Sequence, residues 1–427
     1  MLPPAPDQLC LRLPRTLLDP SRSDLPCGDG DGLLAVRLQL AGGRVTAIEP
    51  LPASAADLPL AITPPLDAHV HLDKAFSWPA FPNRDGTMAG ALAANLREGD
   101  QRCREQVLER AGRGLEQAWR YGLRGLRSHV DSGGPCAALS WEALQELRRQ
   151  WRGRVELQLV AMVPLAHWCT PAGRRQAVQV AAAGGLLGGV LGPPFARTGT
   201  ERAALQALLQ LAAELGCGVD LHVDEGDAGG GAGVRLLVEL LERWHPGVPI
   251  TCSHASSMGL LPEPARRRLA ERMAAQGLAV VALPTTNFWL LGRREGLLTP
   301  ERPLAPLQLL QQCGVTVACG ADNVQDPWYP GGDFDPLELL RLSFRASHSP
   351  PWQRQGLMPF TTAPARLLGQ AWDGIVRCGA PADLLITSAS SWADLLARPP
   401  QRRVLRGGQW LEPPAAEQPS PRLASLG

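Results

Sequence analysis

The chain has 427 residues, 45% of them hydrophobic, which suits one large α/β domain with an appendage. Its 42 Lys plus Arg against 41 Asp plus Glu leave a formal net charge of +1, and the basic residues are dispersed, which argues against nucleic acid as a partner. No apolar run approaches the ~20 residues of a membrane helix, the N-terminus lacks the charged-then-apolar order of a signal peptide, and ten irregularly spaced cysteines without a CxxC pair suggest reduced, mostly buried thiols of a cytoplasmic protein.

Residues 1–60 read as short strands. Residues 33–50 alternate apolar and polar about an Ala41-Gly42-Gly43-Arg44 turn, a hairpin signal. Such a segment is too small to bury its own core. Strands starting near Gly374 and Arg402, within residues 371–412, supply the partner, so a small β-sandwich domain formed from both chain termini is expected. The last stretch, 413–427, is rich in Pro, Ser and Ala and is expected to be disordered.

Between 61 and 370, eight strand-length apolar runs alternate with helical stretches, the pattern of a parallel sheet buried on both faces. Closed on itself, this is a TIM (β/α)8 barrel; a doubly wound open sheet is the alternative. Polar residues decide between them, because they fall at strand C-termini: His69 and His71 on the first strand, His129 and Asp131 on the second, His222, Asp224 and Glu225 on the fifth, His254 on the sixth, Asp322 and Asn323 on the eighth. Gln158 lies on the third. In a closed barrel the first and eighth strands are neighbours, so these tips can share one site.

The stretch Asp67-Ala68-His69-Val70-His71-Leu72-Asp73-Lys74 sets the chemistry. Alternation along a strand puts His69 and His71 on one face. With His222 and Asp322 they make three imidazoles and a carboxylate, which suits one Zn²⁺ or Fe²⁺ with a position left for water. Such an ion lowers the pKa of its water to about 7 and supplies hydroxide at neutral pH. Asp322 can touch the ion and take the water's proton. Glu225 is the candidate general acid/base for the leaving nitrogen, and His254 the group that holds the nucleophile or polarises a developing oxyanion. His129 and Asp131 are expected to support neighbouring strand tips, and His167 and His245 to be structural or on the surface.

The segments HVHLD, HVDE, SHASSMG and ADNVQDPWYPGG resemble the amidohydrolase superfamily and, within it, the cytosine deaminase group. The resemblance spans most of the barrel. It implies a single catalytic ion and hydrolytic deamination of a nucleobase-like ring, cytosine or a related pyrimidine, with release of ammonia. It also implies that Gln158 contacts the ring's amide edge, that Trp328 packs on the ring, and that Asn83 to Thr87 form the loop after the first strand. A carboxylated lysine bridging two ions is ruled out by composition, because the fourth strand has no lysine.

Two positions depart from the cytosine pattern. Asn323 stands where a second aspartate is usual; Asn donates as well as accepts, and a mismatch in a dry pocket costs ~1–3 kcal/mol. Lys74, the chain's single lysine, places a cation near the ion, where it either favours an anionic or carbonyl-rich substrate or pairs with Asp73 or Asp85. Hydrolysis of an aminotriazine, an N-alkylamine or a cyclic amide is the alternative on the same site, and a non-catalytic metal-binding barrel the reading from another class. The expected partner is a small heterocyclic substrate; a homo-oligomer is left open.

Overall fold

The computed structural model describes residues 4–52, 54–55, 57–193, 195, 199–293, 302–398 and 400–412, so the tail expected to be disordered lies outside the described residues. Strands β1 (Gln8–Pro14), β2 (Leu33–Ala41) and β3 (Arg44–Pro50) form an antiparallel sheet. The β2–β3 hairpin turns at Gly42 and Gly43, with φ of 56° and 73°, the left-handed pair that a two-residue turn demands. A Cβ on Gly43 would stand 2.8 Å from the Gly407 carbonyl oxygen, so the turn also needs its glycine for a close backbone approach. The short β4 (Ala61–Ile62) leads into the barrel.

Eight parallel strands follow in sequential order around one sheet: β5 (Leu66–Val70), β6 (Gly125–Asp131), β7 (Glu156–Met162), β8 (Leu186–Leu191), β9 (Val219–Val223), β10 (Ile250–His254), β11 (Ala279–Ala282) and β12 (Thr316–Cys319). The seam between β5 and the end of β12 is closed by a parallel bridge from Val70 to Asp322. Asp322 N–H donates to the His69 carbonyl at 2.9 Å, and His71 N–H to that of Asp322 at 3.2 Å. The buried Asp67 carboxyl, its pKa pushed up to about 7 by burial, accepts the Ala321 N–H across the same seam at 3.0 Å. The barrel expected from the sequence is therefore the one found, and the open sheet is excluded.

Outward residues of the strands, such as Leu159, Leu187, Leu221 and Val280, pack on apolar stripes of the surrounding helices in the main core. The helix Thr200–Leu215 buries Ala204, Leu205, Leu208, Leu209, Leu211 and Ala212, the spacing of one helical face. Gly122, at φ 94°, ends the helix Arg104–Tyr121 and lies so close to Leu385 that a Cβ would stand 2.6 Å from its Cδ1. That contact seats the small domain on the barrel.

The chain returns to the small domain as β13 (Leu384–Thr387), β14 (Arg402–Arg406) and β15 (Gln409–Trp410), which join β4 in a second sheet. Leu11, Leu13, Val36 and Leu38 from the first sheet share a core with Leu384, Ile386 and Leu405 from the second. All ten cysteines are free, but only Cys136, Cys217, Cys252 and Cys319 are buried. The expectation of mostly buried thiols is thus corrected: Cys27, Cys103, Cys169 and Cys378 are exposed, in segments between the main elements. Among the described residues no helix is long and apolar enough to cross a membrane.

Candidate active site

Alternation along β9 turns Asp220 and His222 into the barrel while Leu221 and Val223 pack outward, and β5 with the residue after it does the same for His69 and His71. At the C-terminal end the ring nitrogens converge. His71 Nε2 lies 3.4 Å from His69 Nε2 and 3.4 Å from His222 Nε2. Asp322 Oδ1 lies 3.5 Å from His69 Nε2 and 3.3 Å from His71 Nε2. Four donors about 2.1 Å from a central ion, in tetrahedral array, stand about 3.4 Å from one another. Four of the six separations match, and His69, His71 and Asp322 form one group close enough to hold a divalent ion, with His222 joined to it through His71.

The electrostatics fit as well. All four side chains are buried. Burial and neighbouring His129 hold His69 well below the ordinary histidine range, and burial with the surrounding imidazoles does the same to His222, so both are neutral. Burial opposes ionisation of Asp322, but His69 and His71 outweigh it and keep its carboxyl well below the usual range. Neither Asp322 oxygen has a hydrogen-bond partner among the described residues. An ionised carboxylate buried without a donor is costly unless a cation meets it.

Strand tips around this cluster carry backbone strain. Asp224, His254, Ala255 and Asp322 adopt φ of 53°, 68°, 47° and 65°, a region that costs non-glycine residues energy and is typical of functional sites. Asp224 does not face the cluster. Its carboxylate caps the helix Ala232–Leu241, accepting from Gly233 N at 2.7 Å and Val234 N at 2.9 Å. This anchors the turn from which Glu225 projects. Glu225 Oε2 stands 3.5 Å from His254 Nε2, and burial pushes its pKa up. His254 Nδ1 pairs with Asn287 Oδ1 at 3.0 Å, which aims Nε2 toward Glu225.

Other expected site residues fall differently. Asn323 Nδ2 donates to Asp326 at 2.8 Å, and its Oδ1 lies 3.3 Å from Thr286 Oγ1. Trp328 Nε1 donates to Asn95 Oδ1 at 3.3 Å, with its ring packed near Ala91, Leu290 and Leu291. Asn83 and Thr87 close the expected loop on themselves through Asn83 Nδ2 and the Thr87 carbonyl. Lys74 is buried and donates to Asp131 Oδ1 at 2.8 Å, rather than to Asp73 or Asp85. His129 stacks on His69 with ring centroids 3.8 Å apart, and His69, His129 and His222 form a second group close enough to hold an ion, so it stands nearer the cluster than a supporting role required.

Gln158 is a correction. Its Oε1 accepts from Arg127 Nε at 2.8 Å, and it lines a cavity of about 480 Å³ with Leu186, Gly218, Ile250 and Thr316, residues at the N-terminal ends of their strands. It faces inward, but at the wrong end of the barrel to touch a ring held near Asp322.

The sequence profile of the amidohydrolase family matches residues 81–411. The chain belongs to the amidohydrolase family. This amidohydrolase is 32% identical over 395 residues to a pterin deaminase of Rhizobium rhizogenes, covering 90% of this chain and 89% of that one. It is 24% identical over 346 residues to the N-isopropylammelide isopropyl amidohydrolase of a Pseudomonas species, covering 77% and 80%. Its fold is similar to that of a 5-methylcytosine deaminase from Klebsiella pneumoniae solved with 5-fluorocytosine, with a TM-score of 0.78, 23% identity, and coverage of 97% and 100%. The resemblance to deaminases of the superfamily read from the motifs is thus borne out, and the amidohydrolase is a hydrolase acting on carbon–nitrogen bonds.

Sequence reasoning passed over Asp220, Ser253, Asn287 and Asp326, all buried beside the cluster. Asp220 could have been found, because it stands two residues before His222 and therefore on the same face. Asn287 lies on the short helix Pro284–Leu290 and Asp326 in the loop after the eighth strand, and no periodicity foretells that either reaches the cluster.

Proposed function

We propose that this amidohydrolase is a metal-dependent deaminase of an aromatic nitrogen heterocycle whose amino group sits on a carbon next to a ring nitrogen, with pterin-type fused rings ahead of cytosine and its 5-methyl derivative. The observation that carries it is the convergence of Asp322 and Glu225, one carboxyl held ionised and the other pushed toward protonation, on one set of imidazoles. Two groups with opposed proton affinities supply a base and an acid. The cytosine reading is weakened because the two contacts it leaned on point elsewhere, Gln158 to Arg127 and Asn323 Nδ2 to Asp326. Similarity to a pterin deaminase along nine-tenths of this chain favours the fused ring.

An ion held by His69, His71, His222 and Asp322, Zn²⁺ or Fe²⁺, would supply a water of lowered pKa and Lewis acidity at the amino-bearing carbon. Asp322 would hold the proton given up as the water's oxygen adds to the amino-bearing carbon. Glu225 gives its proton to the adjacent ring nitrogen and passes a second one, received from Asp322's side of the site, to the departing amino group. The C–N bond would then break and ammonia leave, while the added hydroxyl gives its remaining hydrogen back to Glu225 and becomes the ring carbonyl. His254 Nε2, steadied through Asn287, faces the oxygen that develops charge.

The test is a panel of pterin, 5-methylcytosine, cytosine and N-isopropylammelide with Zn²⁺- or Fe²⁺-loaded protein, scored for ammonia and for isopropylamine. Ammonia from pterin above the pyrimidines is expected, and Glu225→Gln should cut that rate by about 10²–10⁴-fold with metal content retained. Isopropylamine as the dominant product would favour the N-alkylamine reading suggested by the 24% identical relative. Full activity of Glu225→Gln would reject the assignment of the acid.

A further inference from the structure

Behind His69, on the side away from the other ligands, runs a line of buried polar groups that the reaction outlined above does not use. His69 Nδ1 lies 2.8 Å from Ser253 Oγ. The Ser253 hydroxyl donates to Asp220 Oδ1 at 2.7 Å. Asp220 Oδ2 accepts from Arg127 Nη1 at 2.7 Å. Arg127 is itself fixed by Gln158 Oε1 at 2.8 Å, by Thr251 Oγ1 at 3.2 Å and by the Leu367 carbonyl at 2.5 Å. Arg127, Asp220, Ser253 and His69 are all 2% exposed or less.

The direction of every bond in this line is forced. A guanidinium only donates and an ionised carboxylate only accepts. Asp220 therefore takes the Ser253 hydroxyl proton, which leaves Ser253 Oγ able only to accept from His69. His69 must then carry its proton on Nδ1 and present a bare lone pair at Nε2, the nitrogen that faces Asp322 and His71. His71 and His222 differ, because their Nδ1 atoms have no partner among the described residues. His69 is the ligand whose polarity this line sets.

We infer that Arg127, Asp220 and Ser253 are positioning residues that fix the tautomer of His69 and so prepare the site for its divalent ion. This requires that the four donors hold an ion, as proposed above. Asp220→Asn gives the sharpest consequence. Arg127 would turn the new amide so that its oxygen faces the guanidinium, which leaves the NH₂ facing Ser253. The serine would then accept from Asn and donate to His69 Nδ1, moving the ring proton to Nε2 and blocking the ligand atom. The effect should shrink when Arg127 no longer dictates the amide's orientation.

The measurement is Zn²⁺ affinity by chelator competition, with the melting temperature of the metal-free protein recorded in parallel. Wild-type protein is titrated first; failure to bind Zn²⁺ there would reject the metal site itself. Given wild-type binding, Ser253→Ala and Asp220→Asn should each weaken Zn²⁺ by about 10- to 100-fold, with the metal-free melting temperature little changed in Ser253→Ala and lowered in Asp220→Asn, which removes the buried charge paired with Arg127. Ser253→Thr, which keeps the hydroxyl, should retain affinity. Adding Arg127→Met to Asp220→Asn should recover part of the loss. Affinities of Ser253→Ala and Asp220→Asn equal to wild type would overturn the inference. So would a fall in the metal-free stability of Ser253→Ala large enough to account for the weakened binding, with no rescue by Ser253→Thr. Should the Arg127 double variant fail to fold, the Ser253→Ala and Ser253→Thr pair decides alone.

Discussion

Two clusters of buried ionisable groups meet near the tips of the first two barrel strands, and their charges are handled in opposite ways. In one, Arg102 binds Asp73 at 2.7 Å, Asp131 at 3.1 Å and Glu98 at 2.5 Å, Arg110 binds Glu98 at 2.8 Å, and Lys74 binds Asp131 at 2.8 Å. Three cations (Lys74, Arg102, Arg110) meet three carboxylates (Asp73, Glu98, Asp131), so the formal charge cancels. In the other, His69, His71, His222 and Asp322 bring one carboxylate with no hydrogen-bond donor among the described residues, and burial keeps His69 and His222 neutral. A buried network that cancels its own charge holds the fold, whereas one that leaves a carboxylate without a donor suits a cation.

The largest expected effect breaks the second cluster. Asp322→Asn should lower turnover by about 10³-fold or more, yet cost the metal-free protein little stability, because neither Asp322 oxygen has a hydrogen-bond donor among the described residues to lose. Urea unfolding in chelator measures the stability. Adding Zn²⁺ should then stabilise wild type by about 2.7 kcal/mol at a hundred times the Kd and the variant by far less. A large loss of metal-free stability would make the two clusters alike and end the distinction.

Next comes the converse change in the first cluster. Arg102→Met strands Asp73, Glu98 and part of Asp131 in the interior, and losing one partner of a buried ion network costs about 3–5 kcal/mol. The cost should appear in metal-free and metal-loaded protein alike, because Arg102 is bound to carboxylates and to Ser140 rather than to the ion's donors. Equal stability of variant and wild type would show that the pairing contributes nothing net.

The contrast also marks what was legible beforehand. The barrel was, because each strand is an apolar run with its polar residues gathered at one end, and that asymmetry survives without coordinates. That His69 and His71 lie side by side was legible from spacing, and that His222 and Asp322 come near them from their place at strand ends. Gln158 was misread because alternation tells which face a side chain takes and not how deep it sits. The inward file of β7 runs Gln158, Val160, Met162, and β6 matches it with Arg127, His129, Asp131, so Gln158 lies level with Arg127, four residues short of the Asp131 level. The charge-cancelled cluster was invisible for another reason. Its partners come from the turn after β5, from β6 and from two helices and the link between them, 57 residues apart in the case of Lys74 and Asp131, and no local pattern pairs them.

Lys74 stands between the two clusters, and its substitution should cost the fold less than Arg102→Met does. Burial alone would lower its pKa, but Asp131 and Asp73 outweigh that and raise it, so the ammonium stays charged throughout the neutral range. One of its three protons goes to Asp131 Oδ1, and its charge also reaches the buried carboxyls of Asp326 and Glu225. In Lys74→Met, Asp131 still has Arg102 at 3.1 Å and Asn95 at 3.3 Å, so the stability loss should be about 1–3 kcal/mol, below that of Arg102→Met. If the remaining protons bind a substrate carbonyl or anion, kcat/KM should fall roughly 10- to 100-fold, chiefly through KM. Stability lost with kcat/KM intact would instead place Lys74 wholly among the groups that cancel charge, and the substrate would then owe nothing to the one lysine in the chain.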